Sequence, residues 1–529
     1  MRTELLSFSR RLASTALVAV FSLLVMTPAA SAGDPPPVQR ATDALDAEQA
    51  VAELVLLRKA LERIHPGYDR YTSSEDRQPA WRSLEALAAT GPRLEDWYRE
   101  ISRLLALLRC EHTRAELPTV LAEHKQQGAA FFPFRFRVFD EGLFIERAVA
   151  DSGLSRGDQV VAFAGRPTSE VLAALRPFVP VDGWADDLRD ASLEQDGDFL
   201  GNTFEQFYSL LFGDDPAVAM TILPAAGGER RTIEVKKIPF DEWLALDGPD
   251  AVRYLDFKDA VRHRRLDTKT AYLAVDTFVN YRQPVNAEKK LAPLFRRWNG
   301  DGVERLIVDL RNNGGGSDDA MIALLRLLAD RPFELGAAAF TKTTAIGDDL
   351  KPYLSTWEQK ALDPRAEWFE PADNGLFRLK PGVLGAKRRN LKPHPDRFRG
   401  EVLVLTSRFN GSGSTILLSL LKDRAFARLV GEKTGGNVSG LTAGILFFLN
   451  LPHSGIDVRV PLLLQTFDLQ NPERFEADRG VQPDVLVEPT LDGMLSQRDE
   501  ILEAAIALPA RQGQEQPAAS SPVSSPNDS

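Results

Sequence analysis

Hydrophobic residues recur every three or four positions in the first part of the chain. Leu54, Leu57 and Leu61 show this spacing, and the same period returns between residues 93 and 109. Such a period is typical of helices that bury one face against a core. It predicts a helical N-terminal region over residues 38–115.

Alternation of apolar and polar residues replaces this period from Phe131 onward. Short apolar runs of this kind, separated by turns such as Gly157-Asp158, predict strands. Residues 130–240 are therefore predicted to form a β-rich module. An acidic segment from Asp182 to Asp198 interrupts the spacing of its strands.

Apolar strands alternate with amphipathic helices in the second half of the chain. The strand candidates are Ala271–Val275, Leu306–Leu310 and Val402–Leu405, and helical patterns lie between or after them. This order predicts a wound α/β sheet with helices against it. The predicted core spans residues 265–492 and includes a hairpin that turns at Pro452–Gly455.

The two ends of the chain differ in composition from the regions between them. Three arginines come before or at the start of an apolar run from Leu12 to Met26, and Ala30-Ser31-Ala32 offers a signal-peptidase site. Residues 1–32 thus predict a cleaved signal peptide and an exported protein, periplasmic or secreted, without a stable membrane span. A retained membrane anchor is the alternative. Residues 510–529, rich in Pro, Ser, Gln and Ala, predict a disordered tail.

Charge and cysteine content exclude several classes of site. The chain has 64 Lys and Arg against 75 Asp and Glu, a net charge of -11, so a nucleic-acid partner is not expected. Cys110 is the one cysteine of the sequence, which excludes an internal disulfide and a multi-cysteine metal site. The sequence also lacks the His-Glu-x-x-His spacing of zinc peptidases. We therefore expect neither a metal nor another cofactor.

Two glycine-rich turns carry the candidate chemistry. In the first, the strand that ends at Leu310 leads to Gly314-Gly315-Gly316, whose backbone N–H groups can face an anion. In the second, a strand leads through a loop into a helix that starts near Ser412. The positive end of that helix would stabilise an oxyanion. Either turn alone would also fit an ordinary helix cap or a phosphate-type turn.

The order and spacing of these motifs resemble the C-terminal processing, or tail-specific, serine peptidases. The resemblance is carried by Asp309–Gly316, Ser412-Gly413-Ser414, Val430–Gly436 and Arg479–Asp484. It implies a crotonase-like ββα peptidase core of the α/β class, often accompanied by a PDZ-like domain. The β-rich module itself resembles a PDZ-type domain at Gly157, Asp158, Val160 and Gly165. The family resemblance also implies cleavage of peptide bonds through an acyl-enzyme.

The resemblance assigns roles to residues of both glycine-rich turns. Ser412 is implied as the nucleophile, and Ser414, two residues into the helix, is the rival. Gly413, Gly314 and Gly315 are implied as the oxyanion hole. A serine at its free pKa is a weak nucleophile and needs a base beside it.

The implied base is a histidine. Many bacterial members of the family use a lysine 25 residues after the nucleophile, where this chain has Asn437. Lys433 could replace that lysine only if its loop were shifted. The tricorn core and the chlamydial protease-like activity factor instead use a Ser-His pair supported by a glutamate, and the segment around His112 is similar to their histidine turn. The supporting carboxylate is then Glu476 or Asp478.

The sequence thus predicts an exported serine endopeptidase that acts on protein or peptide substrates. Ser412 would attack the scissile carbonyl, with His112 as general base and acid. An inactive peptide-binding pseudoprotease is the main alternative, because the family lysine is missing and the carboxylate match is inexact. A third alternative is an esterase or amidase with the same core.

Overall fold

The computed structural model describes residues 43–195, 202–247, 256–384 and 389–509. The predicted signal peptide and C-terminal tail lie outside these residues, as does the end of the acidic segment. The described residues belong to one compact unit. None of the described helices is long and apolar enough to cross a membrane.

Four helices form the first part of the described chain. The first three lie within residues 38–115, where the apolar period predicted helices, and the fourth lies after that region. Their apolar faces are buried, as Trp97 and Ile101 show on the third of them. The second begins at a cap in which the Ser73 hydroxyl accepts a hydrogen bond from the backbone N–H of Asp76. The four helices are α1 (Ala47–Ile64), α2 (Ser74–Ala88), α3 (Leu94–Ala106) and α4 (Thr119–Gln127).

An antiparallel sheet with three helices follows. Its elements are β1 (Phe134–Phe139), β2 (Gly142–Ala148), β3 (Gln159–Phe163), β4 (Arg166–Pro167), α5 (Thr168–Leu175), α6 (Leu188–Glu194), α7 (Thr203–Phe212), β5 (Ala217–Leu223) and β6 (Arg231–Lys236). The strand order is β1-β2-β3-β5-β6, and β4 pairs with β3. The long connection from β4 to β5 contains the start of the acidic segment. A β-rich module is thus present, and its PDZ-like identity stays a prediction.

The second half of the chain contains the remaining strands and helices. In chain order they are α8 (Phe240–Ala245), β7 (Val261–Arg265), β8 (Thr270–Val275), α9 (Ala287–Gly300), β9 (Arg305–Asp309), α10 (Asp318–Leu328), β10 (Phe333–Leu335), β11 (Ala337–Thr341), β12 (Leu354–Ser355), β13 (Phe369–Pro371), β14 (Phe377–Leu379), β15 (Arg389–Leu391), β16 (Glu401–Thr406), α11 (Ser412–Asp423), β17 (Arg428–Gly431), β18 (Leu441–Asn450), β19 (Asp457–Phe467), β20 (Val485–Leu486), α12 (Leu491–Leu495) and α13 (Glu500–Ala507).

A mostly parallel sheet forms the centre of this half. Its order is β20-β17-β16-β9-β8-β7, with β7 the antiparallel edge strand. Side chains of β9 alternate between two clusters: Leu306 and Val308 pack with α9, α10 and α11, whereas Ile307 packs with α13. Both faces are therefore covered, as continuous apolar strands predict. The predicted α/β class of the core is confirmed.

The carboxyl ends of β9 and β16 lie side by side, because these two strands pair in parallel from Glu401↔Arg305 to Leu405↔Asp309. Ligands and active sites of open α/β sheets lie at this edge. Both glycine-rich turns leave the sheet there. A second, antiparallel sheet has the order β12-β18-β19-β11-β14-β13 and contains the predicted hairpin, β18 with β19.

Candidate active site

Ser412 is the first residue of α11, at the carboxyl edge of the parallel sheet. The loop before it is fixed by Asn410, whose buried side-chain amide donates to the carbonyl oxygens of Leu310 (2.6 Å) and Asn313 (3.0 Å). Asn410 therefore ties the two glycine-rich turns together. The φ angle of Ser412 is 45°, a left-handed conformation that is rare outside glycine and recurs at functional sites.

The rival nucleophile Ser414 is fully buried. Its hydroxyl donates to the side-chain oxygen of Asn313 at 2.8 Å. A serine engaged in this way supports the turn rather than facing a substrate. Ser412 is thus the serine of this pair that the geometry makes available.

The triple-glycine turn packs directly on Ser412. A Cβ placed on Gly315, where φ is 116°, would lie 2.7 Å from the Cβ of Ser412 and 2.8 Å from the backbone nitrogen of Gly413. The close approach requires glycine at this position. However, the backbone N–H of Gly315 donates to Asn313 Oδ1 at 2.9 Å. The N–H of Gly315 is therefore engaged within the turn, which leaves Gly314 and Gly413 as the predicted oxyanion donors.

His112 comes from the segment after α3, about 300 residues earlier in the chain. Its Nε2 lies 3.1 Å from Ser412 Oγ, within hydrogen-bond reach. The segment is held against β19, because the backbone N–H of Arg459 donates to the carbonyl of Arg114 at 2.9 Å and Ala115 forms a bridge with Val458. The fold thus positions the predicted base beside the predicted nucleophile.

The charge state of His112 suits a general base. Burial lowers the pKa of His112 below its usual value of 6.5, while the nearby carboxylate of Asp182 opposes the shift and the cations Arg459 and Arg114 add to it. The imidazole is therefore neutral at neutral pH. A neutral ring can accept the proton of Ser412 and later return it.

A buried hydrogen-bond chain supports the histidine segment from below. The backbone N–H of Gly67 donates to His65 Nδ1 at 3.0 Å, so His65 Nε2 carries the proton and donates to Thr113 Oγ1 at 2.7 Å. Thr113 in turn donates to Cys110 Sγ at 3.1 Å. Burial lowers the pKa of His65 to about 3, which keeps this ring neutral. His65 is thus a structural residue at the end of α1.

Cys110, His112 and Asp182 offer a sulfur, a nitrogen and an oxygen that lie within 4.8 Å of one another. Burial raises the pKa of the Cys110 thiol to about 12. A metal ion binds the thiolate, so it would have to displace this proton and the hydrogen bonds of the sulfur. The chemistry of the three groups therefore fits a hydrogen-bonded cluster better than a metal centre.

The side chain of Asp182 was not among the residues that the sequence singled out. It is 3% exposed, and its Oδ1 accepts a hydrogen bond from the backbone N–H of Glu111 at 2.8 Å. Burial raises the pKa of Asp182, and attraction to His112 opposes that shift. The acidic segment around it was visible in the sequence only as an interruption of the strand spacing.

The two carboxylates predicted from the sequence contact other groups. Glu476 pairs with Lys433 (Nζ to Oε2, 3.4 Å) and with Arg479. Asp478 accepts hydrogen bonds from the Tyr71 hydroxyl at 2.7 Å and from Arg70 at 3.1 Å. Among the described residues, no hydrogen bond joins either carboxylate to His112.

Asn437 stands where the resemblance to the processing peptidases places a lysine. Asn437 is buried, and its amide donates to the Tyr71 hydroxyl at 2.6 Å. The same amide nitrogen would lie 2.5 Å from a Cβ placed on Gly183. The turn that carries Asp182 is therefore packed against the position where Ser-Lys peptidases have their base. Lys433 is engaged with Glu476 instead.

Asp309 and Arg311 brace the first glycine-rich turn. The guanidinium of Arg311 pairs with Asp309 and with Asp499 of α13. The Tyr272 hydroxyl also donates to Asp309 at 2.7 Å. These contacts lower the pKa of Asp309 despite its burial.

Comparisons with known proteins give one family match. Residues 269–487 match the model of Peptidase family S41. The matched range contains Ser412 and both glycine-rich turns, whereas His112 and Asp182 lie outside it. No curated protein sequence matches the chain.

Solved structures similar to the chain include two of CPAF and one of a C-terminal processing protease. Mature CPAF in complex with lactacystin shares 15% identity with a TM-score of 0.55, over 85% of this chain and 96% of its own. Mature CPAF alone gives 15% identity and a TM-score of 0.54, over 85% and 94%. The photosystem II D1 C-terminal processing protease shares 17% identity over 84% and 97%, with a TM-score of 0.38. At these identities the similarity to the CPAF structures establishes a shared fold.

Proposed function

Because residues 269–487 form a domain of peptidase family S41 and the chain is a serine-type peptidase, we propose that it is an exported endopeptidase that uses a Ser-His pair. Its substrates are proteins or peptides, cleaved through an acyl-enzyme. The observation that carries the proposal is the 3.1 Å contact between His112 Nε2 and Ser412 Oγ. Export rests on residues 1–32, which lie outside the described residues.

The geometry supports a standard acyl-transfer sequence. His112 accepts the hydroxyl proton as Ser412 Oγ attacks the scissile carbonyl, and the oxyanion receives hydrogen bonds from the backbone N–H of Gly413 and of Gly314. The intermediate collapses, and His112 gives the proton to the leaving amine. Water then repeats these steps to release the second product and free Ser412.

The position of Ser412 at the start of a twelve-residue helix supports this role. The unpaired N–H groups of the first helical turn and the helix dipole favour negative charge there. A pseudoprotease would not need the base aligned with the nucleophile. The alignment of His112 with Ser412 thus favours catalysis over simple peptide binding.

Digestion of casein by the mature protein, starting at residue 33, tests the proposal. We expect cleavage by the wild type, loss of cleavage in Ser412→Ala and His112→Ala, and full activity in Lys433→Ala. Small acyl esters assayed in parallel identify an esterase if they are hydrolysed while casein and peptides are not. Casein cleavage that persists in Ser412→Ala would refute the assigned nucleophile.

A further inference from the structure

One edge of the His112 ring lacks the partner that a general base needs. Nε2 faces Ser412, so Nδ1 lies on the opposite edge of the imidazole. Nδ1 is buried and has no hydrogen-bond partner within the described part of the chain. A buried polar atom left unpaired is unfavourable, because it has lost its hydrogen bonds to water without gaining others. A group that accepts the Nδ1 proton would remove this cost and fix the tautomer.

Asp182 has a matching unpaired oxygen. Its Oδ1 is engaged by the backbone N–H of Glu111, the residue before His112, whereas Oδ2 is buried without a hydrogen-bond partner among the described residues. A carboxylate oxygen of Asp182 and a ring nitrogen of His112 lie within 4.8 Å of each other. The two unpaired atoms therefore belong to side chains that lie next to each other.

The backbone around Asp182 is held from several sides. Gly183 donates its N–H to the Arg109 carbonyl at 3.0 Å, and Arg109 Nη1 donates back to the Gly183 carbonyl at 2.8 Å. Trp184 donates its N–H to the Asp478 carbonyl at 2.7 Å. The turn is thus fixed both to the histidine segment and to the peptidase core. These hydrogen bonds hold the backbone of Asp182 beside the histidine segment.

We propose that Asp182 is the positioning residue for His112. Its Oδ2 accepts a hydrogen bond from Nδ1–H and so holds the tautomer whose Nε2 lone pair faces Ser412 Oγ. When Nε2 takes the serine proton, Nδ1 keeps its own, and the carboxylate stabilises the imidazolium without becoming protonated. The inference rests on the proposed function, and it makes the connection between β4 and β5 part of the catalytic apparatus.

Other charged groups act on the pair without replacing Asp182. Arg114 and Arg459 are the cations that act on His112, and Arg70 acts on Asp182. The Glu111 carboxylate lies toward Gly411, since a Cβ placed there would be 2.8 Å from Glu111 Oε2. The predicted carboxylates Glu476 and Asp478 are the rivals that an experiment must distinguish from Asp182.

The decisive variant is Asp182→Asn, because asparagine keeps the shape and can still accept from the Glu111 N–H. Its amide nitrogen would then face His112 Nδ1 as a donor and select the wrong tautomer. We expect kcat on a peptide substrate to fall by about 10²–10⁴-fold with KM nearly unchanged. Asp182→Glu should restore part of the loss. Asp187→Asn, which removes an exposed acid from the same connection, is the matched control and should behave like the wild type.

Three readouts exclude a merely structural effect. The thermal unfolding midpoint of Asp182→Asn should stay near that of the wild type. The acidic limb of its pH profile should move to lower pH, because a neutral amide no longer favours the imidazolium. Nuclear magnetic resonance of isotope-labelled histidine should show the neutral His112 ring protonated on Nδ1 in the wild type and on Nε2 in Asp182→Asn.

The inference is overturned if Asp182→Asn keeps at least half of the wild-type kcat while Glu476→Gln or Asp478→Asn loses it. It is also overturned if the His112 tautomer is the same in the wild type and in Asp182→Asn. The resonance experiment needs no turnover, so it separates this inference from the proposed function. An Nδ1–H tautomer that depends on Asp182, in a protein that cleaves nothing, would support the pairing and defeat the proposed function alone.

Discussion

The two halves of this molecule contribute to the proposed active site in different ways. The family-matched core, residues 269–487, supplies Ser412 and the backbone turns around it. The N-terminal half supplies His112 and, by our inference, Asp182. Apart from the Ser412 hydroxyl, the core contributes backbone geometry, which requires glycines at set positions. The N-terminal contribution consists of two side chains, which need only reach the site.

This difference explains why the site residues of the core are easier to predict from the sequence than those of the N-terminal half. At Gly315 a side chain would overlap Ser412, so the sequence must show a glycine there. At residues 109–116 the chain is fixed by backbone hydrogen bonds to β19 and to the distant turn at Gly183. Backbone hydrogen bonds of this kind place little restriction on residue type. The core therefore carries a clear sequence motif around its site residue, whereas the N-terminal half carries only a weak one.

The largest expected effect comes from removing either the nucleophile, which lies in the core, or the base, which lies in the N-terminal half. Ser412→Ala and His112→Ala should each lower kcat by roughly 10⁴–10⁶-fold, and the double variant should be no worse than either, because the pair acts as a unit. Single-turnover peptide cleavage measures this. Additive losses in the double variant would mean that the two halves act independently.

The next largest effect tests the backbone geometry of the core. Gly315→Ala would place a methyl group 2.7 Å from the Ser412 Cβ, and we expect kcat to fall by about 10²-fold or more. Gly302→Ala is the control, because Gly302 also has a positive φ but has open space around it. If both variants lose activity equally, backbone strain rather than contact with Ser412 is the cause.

A smaller effect is expected from the corresponding change in the N-terminal half. Gly183→Ala would bring a methyl group 2.5 Å from the Asn437 amide and shift the turn that carries Asp182. We expect kcat to fall by roughly tenfold, since Asp182 is displaced rather than removed. Gly165→Ala, at a similar φ with open space around it, should have no such effect. Equal activity of the two variants would contradict the role assigned to this turn.

The smallest effect is a shift of the pH profile. His112 must be neutral to accept a proton, and burial lowers its pKa. The acidic limb of kcat/KM should therefore have its midpoint below pH 6.5, with activity rising as pH increases through it. A midpoint above pH 6.5 would contradict His112 as the base. Initial rates across the pH range distinguish these two cases.

The sequence predicted the core well because its signals are local. The buried strands β9 and β16, the hairpin of β18 with β19 and the glycine-rich turns each follow from residues next to one another. The pairing of Ser412 with His112 came from a resemblance to known peptidases. Its geometry depends on the contact of the histidine segment with β19, which no local pattern encodes.

Asp182 was missed for a physical reason. It lies in an acidic segment beside Asp186, Asp187 and Asp190, which have the same chemistry and face solvent or pair with arginines. Only its burial beside Glu111 separates Asp182 from them, and burial depends on tertiary packing. The two acids predicted from the sequence, Glu476 and Asp478, are engaged instead by Lys433, Arg70 and Tyr71.

The central claim is that a nucleophile from the core and a base from the N-terminal half form one Ser-His site. Labelling with a fluorophosphonate probe, with the adduct located by mass spectrometry, tests this most directly. We predict an adduct on Ser412 in the wild type and in Lys433→Ala, and its loss in His112→Ala. An adduct that survives in His112→Ala but disappears in Lys433→Ala would contradict the account and point to a Ser-Lys enzyme.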